Sequence, residues 1–220
     1  MLCEHLFRPL AHVAVLAFAR LRVPPPAVVL LAAATGIAGA VELARGHLVV
    51  AALLVQLKTV LDNADGQLAR LTDRVTAVGR YLDSECDLLV NAALFAALRT
   101  PLAAPGLVLL TLVLSTNFNV ERIASGRPFG WDGSPLGRAY GVLYGWQDRL
   151  ADRLLGGRVI QPWQVSALAN LGMSTQLAAF GLCMALGHPT AFVWVLVCEA
   201  VGVAALLTIQ PKQEVSLEHR

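Results

Sequence analysis

Four aspartates carry the chemistry that this chain is built to do. Asp62 and Asp65 stand three residues apart, and Asp83 and Asp87 stand four apart. On a helix, each spacing puts both carboxylates on one face. If the two helices are antiparallel neighbours, four acids meet across a gap. Ionised carboxylates crowded together away from water repel one another and are poorly solvated. Divalent cations resolve that conflict, and ligands that are all oxygen suit Mg²⁺, Mn²⁺ or Ca²⁺. Four carboxylates can hold two such ions. One of these aspartates alone would as readily face water or pair with an arginine. All four at this spacing, with Gly66, Ala69 and Arg70 among them, argue for a site.

The elements that must hold these acids are strongly apolar. Of 220 residues, 56% are hydrophobic and only 15% are charged, and the mean hydropathy is +0.62. That composition excludes an ordinary soluble domain and fits an all-α polytopic membrane protein. A membrane-crossing helix needs about 20 mostly apolar residues. Six stretches qualify: 27–45, 47–69, 77–98, 101–120, 164–187 and 189–209. Ahead of them, Leu2, Leu6, Leu10, Val13, Ala17 and Leu21 recur at helical spacing, with Arg8, Arg20 and Arg22 between them. This predicts an N-terminal amphipathic helix within 1–24, lying on the membrane surface and stopped by the prolines at 24–26. The whole chain reads as a single domain: interfacial helix, a six-helix transmembrane bundle over 27–209, and a tail at 210–220.

Charge asymmetry sets the orientation. With six spans both termini share one side, together with the loops near 70–80 and 120–163. That side carries fourteen Lys and Arg residues, against Arg45 and Arg99 on the other. Basic residues collect on the cytoplasmic side. The expected location is therefore the cytoplasmic membrane, with both termini and the carboxylates on its inner face. A formal net charge of +2 marks no particular partner, and no nucleic-acid partner is expected. Cys3, Cys86, Cys183 and Cys198 show no metal spacing and read as reduced, buried small side chains. The five histidines are scattered and take no role. No removable signal peptide is evident at the start.

The residues 62–87 spell Asp-x2-Asp-Gly-x2-Ala-Arg-x8-Gly-x3-Asp-x3-Asp. This resembles the signature of the CDP-alcohol phosphatidyltransferases at all eight fixed positions. The resemblance implies an integral membrane enzyme of phospholipid biosynthesis. It would transfer a substituted phosphate group from a CDP-alcohol to an acceptor alcohol and release CMP. It implies CDP-diacylglycerol as donor, Mg²⁺ or Mn²⁺ as cofactor with two ions bound, and a homodimer among membrane lipids. Asp62, Asp65 and Asp83 would be metal ligands. Asp87 would contact the second metal and serve as the catalytic base. Gly66, Ala69, Arg70 and Gly79 would shape the cytidine diphosphate site. The chemistry agrees independently. Glycine lets a nucleotide approach the helix backbone, an arginine forks onto phosphate oxygens, and paired metals neutralise a diphosphate. Three other readings remain: a soluble CDP-polyol or CDP-aminoalcohol donor, a divalent-cation transporter, and a family member that only binds partners. The transporter reading expects acids tracking across the membrane, whereas these cluster at one side.

Secondary candidates surround the motif. Lys58, one turn before Asp62, is expected to pair with it, or else to touch donor phosphate. Asn91 extends the Asp83–Asp87 row and is expected to bond another helix. Glu199, in the middle of the last span, demands a partner or a cavity, and the sequence names neither. Arg122 and Arg127 could meet a phosphate-bearing acceptor such as inositol phosphate or glycerol phosphate, or simply anchor topology. A second surface-lying helix is expected over 136–155, and residues 144–157 read as a headgroup-level anchor.

Overall fold

The computed structural model describes residues 2–127, 133–155 and 160–209, and there the chain is all-helical. The tail at 210–220, with Lys212 and Arg220, lies outside the described residues, as do Arg158 and the end of the 144–157 segment. The elements are α1 (Leu2–Arg20), α2 (Pro25–Ala44), α3 (Leu48–Leu71), α4 (Ala77–Ala97), α5 (Ala103–Ala124), α6 (Pro135–Leu143), α7 (Gly145–Leu155), α8 (Pro162–Leu168), α9 (Met173–Ala185) and α10 (Ala191–Thr208).

Among the described residues, α2, α5 and α10 are long and apolar enough to cross a membrane. The expected fifth span is not one helix. It breaks into α8, a 3₁₀ turn at Ala169–Leu171 and α9, with a bend of 42°. Extended backbone at Gly172 (φ −70°, ψ 168°) interrupts the helical ladder. Helices α3 and α4 are long, at 24 and 21 residues. Their apolar runs are diluted by the charged motif itself. Composition therefore marks three spans, or four with the bent pair, rather than six.

A single apolar core joins α2, α3, α4, α5, α9 and α10, with Phe95, Phe180 and Phe192 clustered at its centre. The rings of Phe180 and Phe192 stack at 4.7 Å. Helix α1 docks on α2 and α3 through Ala11, Val15, Val28, Ala64 and Leu68. The docking face of α1 is Phe7, Ala11 and Val15, while Leu10, Val13, Leu16 and Leu21 stay exposed. So Leu10, Val13 and Leu21 of the stripe singled out in the sequence point outward, and a second, adjacent stripe makes the contact; the side chains of Leu2 and Leu6 lie outside the described ones. Two apolar faces on one helix suit an element that rests on protein and offers the other side to lipid.

The motif helices are held chiefly by α2, which packs along both α3 and α4. Gly36 explains how closely. A Cβ at this position would lie 2.5 Å from Val90 Cγ1 on α4 and 3.2 Å from Lys58 Cγ on α3. Only glycine admits both neighbours. Beyond their connection α3 and α4 approach each other little, and this leaves a wedge between them. The connection itself is five residues, Thr72 to Thr76. Asp73 adopts the left-handed conformation (φ 52°), and Arg74 N–H donates to the Ala69 carbonyl at 2.8 Å. This satisfies the end of α3 and reverses the chain. Thr76 then caps α4, accepting from Gly79 N–H.

The expected surface helix over 136–155 is two helices, broken at Tyr144. Gly141 and Gly145 flank the break, and glycine weakens a helix interior. Helix α6 packs on α4, and α7 packs on α5.

Candidate active site between α3 and α4

The wedge holds the carboxylates. Ligand-capable oxygens of Asp62, Asp83 and Asp87 all lie within 4.8 Å of one another. Asp65, one turn further along α3, stands outside that tight set but within its electrostatic reach. It is 7% exposed, and its Oδ2 is buried without a hydrogen-bond partner. Four carboxylates thus converge from two helices with one protein cation among them. Lys58 is only 2% exposed, and its Nζ donates to Asp62 Oδ1 at 2.8 Å and also to Asp87 Oδ1. The expected pairing with Asp62 is present, and the bridge across to α4 is an addition that spacing alone did not reveal.

The donor set fits a hard divalent cation. The converging ligands are all carboxylate oxygens, and beside them Asp65 Oδ2 is buried without a partner. Arg70 is exposed at the mouth of the wedge, and its guanidinium lies over Gly66. A Cβ at position 66 would sit 3.5 Å from Arg70 Nη1. The pair forms a cationic shelf one turn from Asp65. Ala69 is half-buried beside it. Gly79 stands apart, in the first turn of α4, where its N–H bonds the Thr76 hydroxyl at 3.0 Å.

Other expected residues are drawn elsewhere. Arg122 is buried and donates to Asn119 Oδ1 at 3.1 Å and to Asp152 Oδ1 at 2.7 Å, tying α5 to α7. Arg127 pairs with Glu121 at 3.0 Å in an exposed ion pair. Asn91 donates to Met173 Sδ at 3.6 Å, the interhelix contact expected of it. Glu199 accepts from Gln176 Nε2 at 2.8 Å. Among the described cysteine side chains, Cys86 and Cys183 are half-buried and Cys198 is exposed rather than buried, while that of Cys3 lies outside the described ones. Helix α7 is more than an anchor. Trp146, Leu150 and Leu154 are exposed, but Gln147 and Asp148 are buried against α5. Asp148 Oδ1 accepts from Asn119 Nδ2 at 2.8 Å and from Ser115 Oγ at 3.1 Å.

Two residues near the wedge read in the sequence only as part of the expected surface helix over 136–155. Tyr140 of α6 and Tyr144, just past its end, form an aromatic wall with Tyr81 of α4, at ring separations of 5.7 Å (Tyr81–Tyr140) and 4.9 Å (Tyr140–Tyr144). Burial, followed by Asp148 for Tyr140 and Glu85 for Tyr144, holds both phenols well above their ordinary range. Tyr144 is within electrostatic reach of Asp87. No motif flags these tyrosines, because only the fold of α6 onto α4 brings them there.

Comparison with known proteins agrees with this geometry. Residues 12–131 match the CDP-alcohol phosphatidyltransferase family. A phosphatidylinositol phosphate synthase of Corynebacterium glutamicum is 36% identical over 80 residues, which is 36% of each chain. The match thus spans about a third of that relative's length. No solved structure matches. With the family match covering more than half of its length, the chain belongs to the CDP-alcohol phosphatidyltransferase family.

Proposed function

We propose that this protein is a metal-dependent integral membrane enzyme that transfers a phosphatidyl group from CDP-diacylglycerol to a phosphate-bearing alcohol and releases CMP. The observation that carries this reading is the wedge itself, where Asp62, Asp83 and Asp87 cluster, two of them on Lys58, with Asp65 buried one turn away. Asp62, Asp65, Asp83 and Asp87 would hold Mg²⁺ or Mn²⁺. Bound there, the metal supplies charge neutralisation for the diphosphate and for the departing CMP oxygen.

The chain's own groups do the rest. Asp87 is the base that takes the proton from the acceptor hydroxyl as its oxygen attacks the phosphorus bearing the diacylglycerol. The bond from that phosphorus to the CMP oxygen breaks. Gly66 and Ala69 leave room for the nucleotide against α3, and Arg70 forks onto phosphate oxygens. Gly79, through the capped first turn of α4, keeps Asp83 and Asp87 in register. The relative's name supports an inositol phosphate acceptor. Arg127 is the cation for the acceptor's phosphate, because its exposed pair with Glu121 is weak and exchangeable. Arg122 serves α5–α7 packing instead. All six long segments, with α3 and α4 shielding their charges inside the bundle, would cross the cytoplasmic membrane with the wedge opening on the inner face.

The test is CMP release by the purified protein. We expect release from CDP-diacylglycerol with an inositol phosphate acceptor, silenced by EDTA and restored by Mg²⁺. Absence of CMP with every CDP-alcohol and acceptor tried would end the enzyme reading. Release only with CDP-polyols or CDP-aminoalcohols would move the donor. Cation flux in liposomes without CMP release would favour a transporter.

A further inference from the structure

The carboxylate ring already contains a cation. Lys58 is among the largest fully buried side chains of the described residues. Its stem is pinned by the close approach of α2 at Gly36. Its ammonium donates to one oxygen of Asp62 on α3 and one oxygen of Asp87 on α4, so it spans the wedge that divalent ions would span. A buried ammonium held by two carboxylates is hard to displace, since removing either partner strands charge in a medium that cannot solvate it. Those two oxygens are withdrawn from metal coordination while the lysine stays.

Formal charge sharpens the point. Four carboxylates and one ammonium leave three negative charges on the ring. One divalent ion reduces this to one negative charge. A second would turn the buried ring net positive, which is unfavourable with no anion present. A diphosphate brings negative charges of its own and makes room for that second ion.

We propose that Lys58 is the resident cation of the ring: in the nucleotide-free protein it stands in for one of two divalent ions, and the second ion enters only with a diphosphate. The inference rests on the metal-dependent reading above. It makes Lys58 a positioning residue that holds Asp62 and Asp87 together across α3 and α4 and imposes an order on loading.

Titration of the full-length protein in detergent with Mn²⁺, following free Mn²⁺ by EPR, tests it. The wild type should bind one ion per chain alone and two once cytidine diphosphate is added. Lys58→Met should bind two without nucleotide, and Lys58→Arg should remain at one. Two ions on the nucleotide-free wild type, or a single ion on Lys58→Met, would overturn the proposal. The wild-type counts stand even if Lys58→Met fails to fold. Binding of no Mn²⁺ in any arm is a different failure, and overturns the metal-dependent reading together with this inference.

Discussion

Two seams of this protein bury acids between helices, and they are balanced in opposite ways. In the α5–α7 seam, Asp148 accepts from Ser115 and Asn119, Arg122 reaches Asp152, and Gln147 donates to Thr111 at 2.9 Å. Both acids there have partners, although one amide oxygen, Gln147 Oε1, is buried without one. In the α3–α4 wedge, Asp62 and Asp87 share Lys58, Asp83 stands beside them, and Asp65 Oδ2 has no hydrogen-bond partner. A satisfied polar seam is glue, because each buried group has exchanged water for protein at little net cost. An unsatisfied one stores destabilisation that a ligand can relieve. The contrast separates structure from function more reliably than burial does, since both seams are buried.

The largest effect that should divide the two seams is on turnover. Asp87→Asn should lower CMP release by about 10²–10⁴-fold, the usual contribution of a general base, while the protein still inserts and folds. A variant with near-normal rates would strip Asp87 of its role and erase the functional half of the contrast.

A smaller and opposite effect is expected across the molecule. Asp148→Ala removes the acceptor for Asn119 and Ser115 and should destabilise by about 1–3 kcal/mol, read as a lower unfolding midpoint in detergent. CMP release by the folded fraction should stay near wild type. If turnover fell as steeply as in Asp87→Asn while the midpoint held, α7 would belong to the catalytic apparatus rather than to the scaffold.

The smallest effect concerns the aromatic wall that stands between the seams. Burial raises the phenol pKa values of Tyr140 and Tyr144 in the folded protein. For an acid so shifted, the folded state favours the neutral form. The contribution to stability is complete below the unfolded phenol pKa of about 10 and is lost as pH climbs above it. A Tyr140→Phe/Tyr144→Phe double variant should therefore lose less stability than wild type between neutral pH and the alkaline range. Parallel pH curves for the two proteins would show that α6 does not shield these phenols.

Much of the fold was legible in the chain because apolar runs and their punctuation are local signals. The boundaries of α2 through α5 and of α10 fall within a few residues of those read from hydropathy, since glycines, prolines and basic clusters end these helices where they stand. The break at Gly172 and the division of α6 from α7 were not legible, because a single interruption in an apolar run is decided by what packs on either side. The second apolar face of α1 was not read for a related reason: helical spacing identifies an apolar stripe but not which neighbour claims it. At the site, Asp62, Asp83 and Asp87 could be grouped from spacing alone, and Lys58 could be joined to Asp62 but not to Asp87. Arg122 was ambiguous until Asp152 was seen beside it.

The sequence by itself determined that this chain is helical and apolar, and that it carries the eight-residue signature of its family within 26 residues. Those properties follow from composition and from the 3.6-residue period, which neighbours in sequence share. Only the tertiary structure decided which acids are left short of partners. That balance depends on residues far apart in the chain, such as Lys58 with Asp87 or Asn119 with Asp148. Their meeting is set by how α2 and α7 press the other helices together.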